Sequence, residues 1–187
     1  IADVYFLNSA KSVDLYKKCV LRAKKTFHVD TSNTYITGLP IWDTHIGKKS
    51  ASRPKKLKNI LFAGQNAFPS NLYDRTYLIR KLIEYCESRP DVKLYYKPRN
   101  PVGVKSPHPV LWHEESILNS LRKKNKPIPE NFIITYKSIS SLLGDTDLCL
   151  TISSTVLAEA LVRNIHAGVI KDPRLNDTKY GYWYFEG

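Results

Sequence analysis

The fold is most evident from one stretch of the sequence, Asp147-Leu-Cys-Leu-Thr-Ile-Ser-Ser-Thr-Val-Leu-Ala-Glu-Ala-Leu161. Its Leu-Cys-Leu core predicts a buried strand over 147–151, and the spacing of apolar residues from Ser154 to Arg163 predicts a helix. An apolar strand that passes through a short polar turn into a helix is typical of a parallel sheet whose two faces are both covered.

The same alternation of strand and helix continues on both sides of this stretch. Strands are predicted over 59–63, 92–96, 132–135 and 166–170, and helices over 73–88, 113–123 and 139–143. The pattern predicts an α/β domain, a Rossmann-like parallel sheet with helices on both faces, over residues 59–172.

Charge, proline and glycine mark a domain boundary before this sheet. Residues 43–58 are rich in Lys and Arg and have no acidic residue after Asp43, which predicts a solvated basic linker. Residues 1–42 are then the end of a preceding domain, and 173–187 form an aromatic tail that we expect to pack back across the boundary. Because the chain starts inside a strand-like run and contains no Met, we expect it to be a piece of a longer protein.

The composition is that of a folded protein with a strongly basic surface. The chain has 187 residues, with 29 Lys and Arg against 17 Asp and Glu, for a net charge of +12. Such a surface attracts phosphates, and it leaves nucleic acid, an anionic membrane and phosphorylated small molecules open as partners. The three cysteines are far apart, which favours buried thiols over a disulfide framework or a metal site.

Ligands of parallel α/β sheets bind outside the carboxyl ends of the strands. Here that rule selects four loops, at 64–72, 97–112, 135–138 and 151–154. The loop contacts expected from the first and third of these are Gly64, Gln65, Asn66 and Tyr136. The second loop begins with two cations, Lys97 and Arg99, which suit a diphosphate or form a solvated turn.

The loop at 151–154 leads into a helix through Ser153, Ser154 and Thr155. Their hydroxyls and the free N–H groups of the first helical turn suit a phosphate, although serine in this position is also a common helix cap. Glu159 could accept the two hydroxyls of a ribose or could face solvent. The sequence has neither G-x-G-x-x-G after a strand nor G-x-x-x-x-G-K-[ST], which argues against a standard dehydrogenase or a P-loop NTPase.

Together these features resemble the second half of a GT-B glycosyltransferase. The run Ile36-Thr-Gly-Leu-Pro40, with Trp42 and Asp43 after it, is similar to the crossing between the two GT-B domains. Ser153-Ser154 matches the Ser-Ser motif of bacterial capsule and lipooligosaccharide transferases, and Lys97-Pro98 stands where those enzymes have His-Pro.

The related UDP-GlcNAc 2-epimerase fold offers a second alignment. In it, Arg99-Asn100-Pro101 takes the place of a His before Asn-Pro, and Glu159 falls on the Glu that binds the ribose. The two alignments leave open whether Lys97 or Arg99 is the phosphate ligand.

The resemblance implies a sugar transferase that binds a CMP-, CDP- or UDP-linked sugar, with the base near 135–138 and no cofactor or metal. The acceptor would be a glycan or a lipid-linked molecule. The protein would be cytoplasmic, with peripheral contact to an anionic membrane and no nucleic-acid partner. Since the general base normally belongs to the preceding domain, the catalytic residues are unknown, and we expect the chain alone to bind nucleotide without transferring sugar.

Two alternatives remain from the residues. A UDP-sugar epimerase or hydrolase of the same fold would need acidic residues facing the sugar, and the loop candidates are Asp74, Glu114 and Glu115. A nucleic-acid-binding module is suggested by the net charge, although aromatic and basic residues do not interleave along one element. We interpret His113 and Glu114 as a helix start rather than as metal ligands, because the H-E-x-x-H spacing fails.

Overall fold

The structure is a computed structural model, and it describes residues 5–7, 14, 34–36, 56–66, 68–105, 111–172 and 174–175. The chain divides into two compact units, Ile1–Ile46 and Gly47–Gly187. In the first unit, β1 (Tyr5–Leu7) pairs in parallel with β2 (Thr34–Ile36). Most of the predicted linker and tail lies outside the described residues, so those two boundaries stay predictions.

The second unit contains the predicted parallel sheet. Its five strands are β3 (Asn59–Ala63), β4 (Lys93–Lys97), β5 (Phe132–Ile134), β6 (Leu148–Thr151) and β7 (His166–Val169). Its helices are α1 (Leu72–Ser88), α2 (Glu114–Lys123), α3 (Ile139–Gly144) and α4 (Val156–Val162). Each bound lies within two residues of the prediction, and the fold class is confirmed.

Helices cover both faces of this sheet, as the continuous apolar strands predict. In β3, Ile60 and Phe62 join a buried cluster with α1 and α2, whereas Leu61 points the other way, into a cluster with α3 and α4. Both faces of β3 are therefore apolar because both are packed against helices.

The strand order places a topological switch point between β3 and β6, at the carboxyl ends of the strands. The strands run in the order β5-β4-β3-β6-β7, with every neighbouring pair parallel. From β3 the chain builds outward to β4 and β5, and it then returns to place β6 on the other side of β3. The helices that follow β3 and β6 pack on opposite faces of the sheet, and the rule for such sheets places a ligand-binding crevice at the two loops that lead into them.

Three side-chain hydrogen bonds fix β3 against β6. At the amino ends, Asp147 Oδ2 accepts the backbone N–H groups of Lys58 and Asn59, each at 2.8 Å. At the carboxyl ends, Thr151 Oγ1 donates to the carbonyl oxygen of Ala63 at 2.9 Å. Each bond contributes about 1 kcal/mol, and together they hold the two strands in register on either side of the crevice.

Among the described residues, no helix is long and apolar enough to cross a membrane.

Candidate functional site

Two of the predicted loops meet directly at the crevice. Ser153 Oγ donates to Gln65 Oε1 at 2.8 Å, a contact between residues 88 positions apart in the chain. Both loops are short, and their position is set by the strands that precede them. The structure therefore brings together two residues that the sequence places in separate loops.

The start of α4 combines capping with an open polar surface. Ser154 is buried; its backbone N–H donates to Thr151 Oγ1 at 3.1 Å, and its own Oγ accepts the N–H of Val156 at 3.3 Å. Thr155 is exposed and makes no capping hydrogen bond with its side chain. The N-cap position is therefore Thr155 rather than a serine, and Ser154 instead bonds to the first turn from the residue before it.

The loop after β4 lies beside the loop after β3. Lys97 is the register partner of Ala63, and its carbonyl oxygen accepts the N–H of Gly64 at 2.9 Å. The ammonium of Lys97 is half-buried and donates to the carbonyl oxygen of Pro98, and burial lowers the pKa of this lysine. Arg99 is exposed. The structure places Lys97 directly beside the crevice-forming strand, with Arg99 two residues further along the loop.

A glycine is required where these two loops touch. A Cβ atom at Gly64 would lie 3.0 Å from the ring and the hydroxyl of Tyr96, and 3.2 Å from the carbonyl oxygen of Lys97. Both distances are shorter than ordinary van der Waals contact. Gly64 is therefore selected by close packing between β3 and β4.

The remaining predicted site residues are Glu159 on α4 and Tyr136 after β5. Glu159 is half-buried in the first turn of α4, and its charge adds to burial in raising the pKa of the Cys149 thiol to about 12, so the carboxylate lies near the sheet. Tyr136 follows β5, two strands from β3, and its hydroxyl donates to a carboxylate oxygen of Glu115. Burial and then that hydrogen bond raise the pKa of Tyr136.

A buried ion pair that is not among the sequence-based predictions supports the loop after β3. Arg75, on α1, is 2% exposed and donates to Glu114 Oε1 at 2.8 Å. The same guanidinium donates to the carbonyl oxygens of Gln65, Asn66 and Pro69. We call this group the Arg75 clamp. It fixes the backbone that carries Gln65 into the crevice, and it buries Asn66, which the sequence predicts as a loop contact.

Glu114 extends the clamp to α2 and β4. Its Oε1 also accepts the hydroxyl of Tyr96 at 3.0 Å. Next to it, His113 caps α2: Nδ1 accepts the N–H of Glu115, so the ring proton lies on Nε2 and is donated to the carbonyl oxygen of Asn100 at 3.1 Å. His113 and Glu114 thus form a helix start, as predicted.

The acidic candidates for an epimerase or hydrolase all have partners within the fold. Asp74 pairs with Asn71 at the start of α1, Glu114 belongs to the Arg75 clamp, and Glu115 holds the Tyr136 hydroxyl. Within the described ranges, no group of three or more His, Cys, Asp or Glu residues could hold a metal ion.

The all-parallel strand order β5-β4-β3-β6-β7 defines a Rossmann-like class of domain. Within that class, the chain belongs to the family described as "Putative glycosyltransferase (DUF6716)", whose model matches residues 1–185. The resemblance of the chain to glycosyltransferases is thereby confirmed. No curated protein is significantly similar in sequence to the chain.

Solved structures confirm the fold. A protein described as a putative UDP-N-acetylglucosamine 2-epimerase from Listeria monocytogenes is 17% identical, with a TM-score of 0.56 over 94% of this chain and 44% of its own. The S. aureus MnaA–UDP complex is 14% identical, with a TM-score of 0.54 over 91% of this chain and 43% of its own. The chain therefore spans less than half the length of these structures.

Proposed function

We propose that the chain is the donor-binding part of a glycosyltransferase and that a nucleotide-activated sugar binds in the crevice. The observation that carries this proposal is the Ser153–Gln65 hydrogen bond, because it joins two polar loops at the switch point of the sheet. Family membership supports sugar transfer as the reaction class, and we propose a glycan or a lipid-linked molecule as the acceptor.

The diphosphate would lie between the start of α4 and the loop after β4. Thr155 offers an exposed hydroxyl, and Lys97 or Arg99 offers positive charge. Glu159 would accept the ribose hydroxyls, and the base would extend toward Tyr136. The strand ends from β6 to β5 span three strand spacings, about 14 Å, which leaves room for an extended nucleotide along the edge.

Chemistry at this site would rest on charge stabilisation. As the bond from sugar to phosphate breaks, negative charge develops on the leaving diphosphate, and preorganised cations and hydrogen-bond donors stabilise it. The proposal needs neither a cofactor nor a metal ion, and it assigns the general base to a part of the protein outside this crevice. We expect the protein to act in polysaccharide assembly at the inner face of the cell envelope.

An epimerase or hydrolase of UDP-sugars is the second candidate, because both structural relatives have epimerase-type or UDP-binding descriptions. Such chemistry at the sugar needs acid and base groups that face the ligand. Asp74, Glu114 and Glu115 instead bond to neighbouring side chains. The transferase is therefore the better-supported function.

Calorimetric titration of the chain with UDP, CDP, CMP and a short oligonucleotide tests the proposal. We start with UDP because one structural relative is a UDP complex. We expect one nucleotide to bind in the micromolar range. Replacing Lys97 with Gln should weaken it about 10- to 100-fold, as expected for a charge-assisted hydrogen bond. If Arg99→Gln has that effect instead, Arg99 is the phosphate ligand.

Lys123→Gln is the matched control, because Lys123 is exposed in the last turn of α2, at the opposite edge of the sheet. It should leave nucleotide affinity unchanged. Salt-sensitive binding of the oligonucleotide without binding of any mononucleotide would refute the proposal and favour a nucleic-acid-binding module.

The lowered pKa of Lys97 gives the proposed site a pH dependence. Phosphate binding favours the charged ammonium, so nucleotide affinity should fall as the pH rises through the pKa of Lys97. Because burial lowers that pKa, the loss should begin at a lower pH than for an exposed lysine. Titration of UDP across alkaline pH measures the effect, and Lys97→Gln should abolish it.

A further inference from the structure

Exposed apolar side chains concentrate at the carboxyl ends of the strands. In the part of the chain that the structure describes, eight large hydrophobic residues are exposed. Seven of them lie at the carboxyl ends of the strands: Leu72, Tyr73, Val102, Val104, Leu111, Trp112 and Tyr136. The eighth, Leu161, lies near the end of α4. An asymmetric distribution of this kind marks an interaction surface.

Four of these residues belong to the connection between β4 and α2. Val102, Val104, Leu111 and Trp112 are 57%, 54%, 76% and 43% exposed, and we call them the apolar patch. The bond from His113 Nε2 to the carbonyl oxygen of Asn100 draws the two ends of this connection together. Val102 and Trp112 each lie within two residues of this bond in the sequence, so the bond brings the two segments of the patch close together.

The charge around the patch indicates what it contacts. From Lys97 to His113 the sequence has no acidic residue, and Arg99 and Lys105 are both exposed. Aliphatic side chains with a Trp and flanking cations are typical of segments at a membrane interface, where Trp prefers the headgroup level. The cores of protein–protein interfaces are instead depleted in Lys. The combination therefore favours a lipid surface over a protein partner.

We infer that the apolar patch docks the domain on an anionic bilayer. Leu111 and Trp112 enter the boundary between headgroups and acyl chains, and Lys105 contacts the anionic headgroups. The patch and the crevice both lie at the carboxyl ends of the strands, so docking brings the crevice close to the membrane surface. A lipid-linked acceptor, as in the proposed function, would be held at that surface. The contact itself does not depend on which nucleotide the crevice binds.

Co-sedimentation of the chain with vesicles tests this inference. We expect binding to phosphatidylcholine vesicles that contain phosphatidylglycerol, and weaker binding to phosphatidylcholine alone. Leu111→Ser combined with Trp112→Ser should reduce binding about tenfold or more, since it removes the two side chains that enter the lipid. Lys105→Gln should reduce binding to the anionic vesicles about fivefold, as one basic residue near such a surface contributes about 1 kcal/mol.

Leu161→Ser is the matched control, because Leu161 is 58% exposed away from the patch. It should bind vesicles as the unchanged chain does. Trp112→Phe should also bind, but it should remove the part of the vesicle-induced blue shift of tryptophan fluorescence that comes from Trp112, leaving only the signal of Trp42 and Trp183. Circular dichroism and UDP titration of every variant establish that it is folded, and they report separately on the proposed donor site.

Two results would overturn the inference: vesicle binding that is absent, or vesicle binding that the Leu111/Trp112 double variant leaves unchanged. If the double variant instead abolishes self-association or binding to another protein, the patch is a protein interface. A chain that binds vesicles through the patch but binds no nucleotide would refute the proposed donor site and leave this inference standing.

Discussion

Replacing Arg75 with Met tests how much the Arg75 clamp stabilises the fold. The side chain of Met is long and unbranched, so it fills much of the space of the arginine stem. The change removes the guanidinium that bonds to Glu114 and to the carbonyl oxygens of Gln65, Asn66 and Pro69. Glu114, which is 3% exposed, is then left as a buried carboxylate without its cation.

The expected loss of stability is large. Removing one partner of a buried ion pair costs about 3–5 kcal/mol, because the remaining charge stays desolvated. A loss of about 4 kcal/mol lowers the melting temperature of a protein of this size by about 8–16 °C. Glu114→Gln should cost less, about 2 kcal/mol, because Arg75 keeps its carbonyl partners and the amide oxygen can still accept hydrogen bonds from Arg75 and the Tyr96 hydroxyl.

Urea unfolding followed by circular dichroism measures these losses. Arg80→Met is the matched control, because Arg80 is exposed on the same helix, and its loss should stay within about 0.5 kcal/mol. The double variant Arg75→Met/Glu114→Gln should lose about 2 kcal/mol less than the sum of the single variants. Strict additivity, or a loss below about 1 kcal/mol for Arg75→Met, would refute the reasoning.

Two further predictions concern packing and buried thiols. Gly64→Ala should lower the free energy of unfolding by about 1–3 kcal/mol, because the added methyl group clashes with Tyr96. Gly144→Ala is the control and should leave the free energy of unfolding unchanged, because its methyl group would meet no atom within 4 Å. Equal urea midpoints for the two variants would contradict the prediction. Burial raises the pKa of the Cys86 thiol to about 11 and that of Cys149 to about 12, so neither should react with iodoacetamide at pH 8, by peptide mass spectrometry, until the protein unfolds. Because the thiols ionise at lower pH in the unfolded chain, the free energy of unfolding should fall as the pH rises above about 9; labelling of the folded protein would show that these thiols are accessible.

The sequence predicted the sheet well because its strands are continuous apolar runs. It also carried a signal for the Arg75 clamp. Arg75 precedes Leu78, Ile79 and Leu82 at helical spacing, so a charged residue lies on the apolar stripe of α1. Glu114 has the same relation to Ile117, Leu118 and Leu121 in α2. Opposite charges on the apolar stripes of two helices that pack on one sheet face predict a buried ion pair.

The crevice was predictable only as a set of loops. Residue types and the switch-point rule select Gln65 and Ser153, but their contact depends on the register of β3 against β6. That register is fixed by tertiary bonds such as that from Lys58 N–H to Asp147, which no local pattern reveals. For the same reason, the sequence could not separate the half-buried Lys97 from the exposed Arg99.

The strand order also determines when the crevice can exist during synthesis. Strand β3 can pair with β4 soon after both leave the ribosome, but its other edge waits for β6. The Ser153–Gln65 contact joins positions 88 residues apart, an interval of about 4–18 s at ordinary rates of translation. Throughout that time an apolar strand edge is unpaired and open to chaperones or to misfolding. The Ser153–Gln65 contact is therefore among the last parts of the domain to form, although β3, which leads to Gln65, is synthesised first.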